Sequence, residues 1–523
     1  MKKRIFQIIS ILMLSVFSIG SFAQDNRTLD TKVADVLAQM PTKNTDHLNR
    51  AMDEIFALGQ EGFQKLTSLL VPAGTGDDTA VRFALNSFSR YASQFGKCDT
   101  KAFAENNLLK ALKNEKDVEV KTYIMNQLNL VAGSKTVEEL TVYLTDENLV
   151  EPATQTILSI GCPKTSEVFL NALPNAEGIA QMTHVRALGQ LKCKNAVSQI
   201  TPLVKAECKS MQKTALTALA NIGSPDSYKT MLKAASDVDF KYESTNATES
   251  FLEYTNSLGE KNELELMKKA CKAIFKANTS EAQLHNYSTA LKIYAKYLGY
   301  EATPLLLDVV DSPNKAFRYS VLNIAEKTGG IADTRKWIAK AETSTPEIQA
   351  DIISMLGRRG CGLANEFITE SLNASSESVR KEAIVALGKI NGTEAVSTLV
   401  AHMAKGNDID ETKAVLTTLL DNQHLFQVTS QLDNTNGKAK AAVVDLIAAK
   451  AGTQYYSQVL ALTSSADVDE KTAAFKALKR VSVYENTDQL IKLLLSVSDE
   501  SEISETQKAI IAISFLFCFH SCS

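Results

Sequence analysis

One spacing constrains this chain more than anything else in it. Segments opening at Ile293, Ile324, Met355 and Ala386 follow one another at steps of 31 residues and align without internal gaps. Those opening at Thr156, Ala187 and Ala218 do the same. A fixed period of this size is the mark of a stacked repeat, in which one supersecondary unit cannot bury its apolar face alone and neighbours do it for each other. Such an array grows by stacking, so 523 residues need not mean several separate globular cores.

The columns of the alignment say what the unit is. One reads Phe169, Ile200, Met231, Leu306, Trp337, Ile368 and Leu399. Four residues on comes Leu173, Val204, Ala235, Val310, Ala341, Leu372 and Met403. An apolar pair at i and i+4 is the buried stripe of a helix. The preceding segment has its own stripe, with Ala153, Ala215, Val321, Ile352 and Ala383 in one column and Ile157, Leu188, Leu219, Leu356 and Leu387 in another. Each unit is therefore two antiparallel helices. The link between them carries Cys162, Cys193, Ser224, Gly299, Gly330, Cys361 and Gly392 in one column, small residues that suit a tight turn with left-handed dihedrals. Repeats stack about 10 Å apart, beyond the roughly 7 Å Cα separation a disulfide can span. Cys162 and Cys193 are accordingly expected to be free thiols. Trp337, the only Trp, is expected to pack in the core.

Weaker units extend the array, with "DDTAVRFALNSFSRYA" from Asp77 and "DVEVKTYIMNQLNLVAG" from Asp117 upstream, and "DIDETKAVLTTLLD", "GKAKAAVVDLIAAKAG" and "DVDEKTAAFKALKRV" downstream. The predicted fold is all-α: a right-handed α-solenoid of about a dozen helical hairpins, an armadillo-type superhelix. The predicted boundaries are a leader at 1–23, an N-terminal helical cap region at 24–76, repeats at 77–235, an irregular repeat with an insertion at 236–285, repeats at 286–497, and an incomplete last repeat with an apolar tail at 498–523.

The core of the unit, D/S-x-x-V-R-x-x-A-x-x-A-L-G-x-I, stands complete at Ser376–Ile390. It resembles the HEAT repeat, in the short form found in phycobilisome lyases, over about Asp77 to Val497. A second resemblance lies in the layout: a leader, the opening helix "VADVLAQMPTKN" and then the array look like exported bacterial proteins that carry a 3-keto-disaccharide hydrolase domain after the repeats. That catalytic domain is a β-sandwich, and no run of short alternating strands follows the array here. The resemblance thus implies at most the non-catalytic front of such a protein. The last unit, opening at Ser501, runs into "SFLFCFHSCS" where a second helix is expected, which would fit a truncated or frame-shifted reading.

Chemistry is sparse. Net charge is −4, against the basic excess that nucleic-acid binding calls for. Lys2, Lys3 and Arg4, the apolar run Ile5–Ile19 and the small residues before Gln24 form the three-part pattern of a cleaved export signal. The product is expected outside the cytoplasm, periplasmic or secreted after cleavage near Ala23, with no membrane span once the leader is removed. The histidines are scattered at 47, 184, 285, 402, 424 and 520; no zincin, P-loop, dinucleotide or nucleophile-elbow motif is present. No enzyme activity, cofactor or metal site is expected. Acidic and basic residues interspersed along the helices read as solvated faces with i, i+4 pairs. His184 interrupts a core column and is expected to be half-buried and satisfied by a neighbouring helix.

The array breaks phase once. Thirteen extra residues fall in Ser236–Glu263, amid Phe240, Tyr242, Phe251 and Tyr254. Insertions in solenoids map to loops, so these four aromatics are the candidate partner-binding residues. The function expected is that of an exported, non-catalytic repeat scaffold binding a protein or glycan partner. The alternative is the repeat module of a larger exported hydrolase.

Overall fold

The computed structural model describes residues 27–421 and 423–520, with side chains described through Ser514. The leader at 1–23, and Cys518 and Cys522 of the tail, lie outside the described side chains. The chain divides into two compact units, Met1–Ser257 and Leu258–Ser523. Each is all-helical among the described residues, built of helical hairpins in sequence order.

In the first unit the described chain opens with helices Leu29–Leu37, Thr45–Ala57 and Gly59–Thr67. Hairpins follow from Thr79–Ala92 to Lys209–Ile222/Tyr228–Asp237. The first letter of the repeat motif has a physical role here. Asp117 stands before helix Val118–Val131 and its carboxylate accepts the N–H groups of Glu119 at 2.9 Å and Val120 at 3.1 Å, satisfying donors that a helix start leaves unpaired. In the second unit Asp467 does the same for helix Val468–Val481.

The core columns are buried as the periodicity requires. Phe169, Ile200, Met231, Leu306, Trp337, Ile368 and Leu399 are all fully buried, and so are the first-helix residues Ala153, Ala215, Val321, Ile352 and Ala383. First helices pack on first helices, most extensively Pro346–Arg359 on Glu377–Asn391 in the second unit and Gly178–Gln190 on Lys209–Ile222 in the first. The "LG" of the motif sets that approach. A Cβ on Gly189 would lie 2.7 Å from the Ala218 Cα, and one on Gly357 2.7 Å from the Ala386 Cα. Backbone is what each glycine meets, so the spacing admits no larger residue without moving a helix.

Three expectations need correction. The small-residue turn column is not where the left-handed residue generally sits. Gly223 (φ 56°) and Gly360 (φ 67°) carry that conformation one position earlier, and the column residues Cys193, Ser224, Gly330 and Cys361 are extended, at the start of the second helix. Extended backbone suits any L-residue, which is why Cys, Ser and Gly interchange there. Only at Gly299 and Gly392 does the column residue itself take positive φ. The insertion is not one long loop. Much of it is helical, in Ala247–Glu260 and at the start of Leu264–Ala277, each of 14 residues against 10 in Tyr228–Asp237 and 7 in Thr303–Val309. The irregular connection is residues 238–246 alone.

The charged residues form the third correction. Some make i, i+4 surface pairs, as Lys233 does with Asp237 at 2.8 Å. Others tie repeats together. Arg82, Arg318 and Arg380 each stand at the fourth position of a first helix. Arg380 donates through Nη1 to the carbonyls of Ala374 and Ser375 and through Nε and Nη2 to both oxygens of Asp408, at 2.7 and 3.1 Å. Arg318 grips the Ser312 and Pro313 carbonyls and pairs with Glu347 and Asp351; it is 2% exposed. Arg82 holds the Val71 carbonyl, Asp78 and Glu119. In each case a planar guanidinium closes the linker before its helix and reaches an acid of the next repeat. A point-charged lysine lacks the fork for that task.

Candidate ligand groove

The connection 238–246 is strained and firmly held. Asp239, Phe240 and Asn246, none of them glycine, take φ of 51°, 53° and 54°. Left-handed backbone at such residues costs about 1 kcal/mol or more apiece and persists only where the surroundings impose it. They do so here. Phe240 is 6% exposed with its ring 6.2 Å from Phe251, and Phe251 stacks 6.3 Å from Tyr254. The Tyr254 hydroxyl donates to the Ser224 carbonyl at 2.7 Å. Glu243 folds back over the start of the next helix, accepting the Thr245 N–H and hydroxyl, both at 2.6 Å, and the Ala247 N–H at 3.0 Å. Burial alone would raise the Glu243 pKa, but these bonds, with Lys209 nearby, hold it below the usual carboxylate range.

The four candidate aromatics therefore separate. Phe240, Phe251 and Tyr254 are buried and cannot present themselves to a partner. That part of the expectation is corrected: their polar sequence context hid an aromatic cluster that supports the connection from beneath. Tyr242 alone is exposed, at 90%.

Beside the connection lies a groove of about 810 Å³. Its walls come from the turn Thr201–Lys205, the start of helix Lys209–Ile222, helix Tyr228–Asp237 and the connection itself, through Val238, Glu243 and Thr245. Val204, which occupies a core column, is only half-buried because the groove opens over it. Leu216 and Ala234 continue the apolar floor, while Lys205, Lys209, Lys229 and Lys233 stand around it. The groove was not singled out by sequence reasoning. The signal available was the pair Lys205 and Lys209 flanking a repeat junction, with Lys229 and Lys233 at i, i+4 on the adjacent second helix.

A second groove of about 620 Å³ lies in the other unit around Asp408. Its charges are largely engaged with each other: Lys381 with Glu377 and Glu411, and Lys413 with Asp445. Asp408 is itself in a left-handed conformation, φ 44°, and accepts from Arg380 and, at 3.1 Å, pairs with His402 Nε2. Arg380 foremost holds the Asp408 carboxyl below its ordinary range. This site is committed to joining repeats. Among the described residues no group of three or more His, Cys, Asp or Glu is placed to hold a metal ion, and no described helix is long and apolar enough to cross a membrane.

The family described as HEAT repeats matches residues 166–250 and 334–420, so both stretches are similar to HEAT repeats. No curated protein matches it. Among solved structures, Kap121p bound to Ste12p is 12% identical with a TM-score of 0.47, over 90% of this chain and 59% of that one. Kap121p bound to RanGTP is 11% identical with a TM-score of 0.47, over 94% and 64%. Kap121p bound to Nup53p is 12% identical with a TM-score of 0.42, over 93% and 56%. The chain thus spans less than two thirds of the length of these proteins.

Proposed function

We propose that this chain of stacked helices, similar in two stretches to HEAT repeats, is a non-catalytic scaffold that binds a protein partner through its first unit and works outside the cytoplasm. The observation that carries the binding reading is the connection 238–246, held rigid at three strained positions with Tyr242 extended from it beside an open groove. Strain kept at a surface segment against its own cost is a feature of sites that recognise something. What the groove offers is ammonium charge and apolar surface, means of holding a ligand. The leader pattern at Lys2–Ala23 supports export.

A photo-cross-linking side chain at position 242 of the full chain, in the producing cells, tests the binding reading. A discrete protein adduct that is absent with the cross-linker at the exposed position of Lys113 is expected. No adduct, or an adduct to glycan alone, overturns it. N-terminal sequencing of the product tests export: Gln24 is expected as the first residue, and a product that retains Lys2–Ala23 overturns it.

A further inference from the structure

We propose that the groove of the first unit takes an acidic segment of a partner protein, with its carboxylates on Lys205, Lys209 and Lys229 and an apolar side chain seated on Val204, Leu216 and Val238. This rests on the reading of the chain as a partner-binding scaffold and adds the chemistry of what is bound.

Charge complementarity selects the occupant. Both acids of the groove are spoken for: Glu243 by three hydrogen bonds from Thr245 and Ala247, and Asp237 by Lys233. Lys205 and Lys229 enter no ion pair among the described residues, and Lys209 acts on Glu243 only through space. The groove is therefore left with positive charge in a chain whose net charge is −4. Its three ammonium groups come from three different elements, a turn and two helices, whose relative placement is set by core packing beneath them. The backbone positions they spring from are already fixed, so a ligand has only the lysine side chains to order. The size of the groove, about 810 Å³, suits several residues of a peptide and far exceeds one small anion. Its floor asks for an apolar side chain among the acids. Single-stranded nucleic acid would look for aromatic stacking platforms, and among the described residues none lines the groove.

The test uses the full chain and a short fluorescein-labelled peptide rich in Glu and Leu, followed by anisotropy at low and high salt. The peptide is expected to bind, with affinity that falls as salt rises. Lys205→Glu with Lys229→Glu is expected to weaken it at least ~10-fold, the sum of two modest surface charge pairs. Both lysines are exposed, so the melting curve should be unchanged; should that variant not fold, Lys205→Gln with Lys229→Gln replaces it. Equal binding by the charge-altered protein, equal binding of a matched Gln and Leu peptide, or displacement of the peptide by a sulfated oligosaccharide at lower concentration overturns the proposal. The cross-link at position 242 separates the two readings. An adduct that survives Lys205→Glu/Lys229→Glu leaves the scaffold standing and removes the acidic segment. Peptide binding without any adduct in cells does the reverse.

Discussion

His184 occupies a first-helix core column otherwise filled by Ala, Val or Ile, and its ring is fully buried beside Phe169 at 5.8 Å. Neither ring nitrogen makes a hydrogen bond of ordinary geometry, with only the Leu144 backbone close. The expectation of a half-buried, satisfied histidine is thus corrected. Burial holds its pKa below the usual histidine value, so the unfolded chain takes up a proton more readily than the folded one. Stability from this group is full above about pH 6.5 and falls as pH drops below it, by at most about 1.4 kcal/mol per pH unit. His184→Leu should remove that slope: the melting temperature of the variant minus that of wild type should rise from about pH 7.5 to about pH 5.5. A constant gap would mean the ring is not the proton sink described. Gly357 makes a second residue-scale case. Gly357→Ala must push Ala386 backbone at 2.7 Å, and overpacking outweighs the helix-propensity gain to leave a net loss of about 1–2 kcal/mol. Gly362→Ala meets nothing within 4 Å and should be neutral within about 0.5 kcal/mol by urea denaturation. Equal effects at the two sites would refute the close-approach account.

At the scale of elements, the arginine at the fourth position of helices Thr79–Ala92, Lys315–Lys327 and Glu377–Asn391 ties each of those hairpins to the next. Arg318→Lys keeps the charge and loses the fork that holds two carbonyls and two acids together. It should cost about 2–3 kcal/mol in urea unfolding, close to Arg318→Met, because bonds to a buried charged group are lost in both. A lysine variant as stable as wild type would show that charge alone suffices. Burial also differs along the second unit. Helix Pro346–Arg359 buries seven residues among Ile348, Ala350, Ile352, Ile353, Met355, Leu356 and Gly357, whereas Thr487–Ser496 buries Leu490 and leaves Leu495 at 82% exposure. Amide exchange should be slow in the first and fast in the second. Comparable protection in both would contradict this.

For the molecule as a whole, stacking means that each repeat depends on its neighbours and that cooperativity is limited in range. Trp337 is the only Trp, fully buried in the second unit, so its fluorescence reports that unit while far-UV circular dichroism reports every helix. The two urea midpoints should differ. Coincident curves would make the chain one cooperative body.

The 31-residue period was enough to determine the helical hairpin, its buried columns and the order of units, because a repeated i, i+4 stripe leaves a helix no other face to bury. It also placed Trp337 in the core and the cysteines of the turn column as free thiols, which they are. Arg380 was visible as part of the motif, yet its partner Asp408, 28 positions on, was not, since what a guanidinium reaches depends on how far one repeat turns against the next. The same holds for the groove. Lys205, Lys209 and Lys229 are spread over three elements, and only packing brings them round one floor. Phe240, Phe251 and Tyr254 look in sequence like Tyr242. Tertiary structure alone decided that three of them pack together while the fourth faces solvent, because only the docking of helix Ala247–Glu260 brings Phe251 and Tyr254 onto Phe240 and leaves Tyr242 outside.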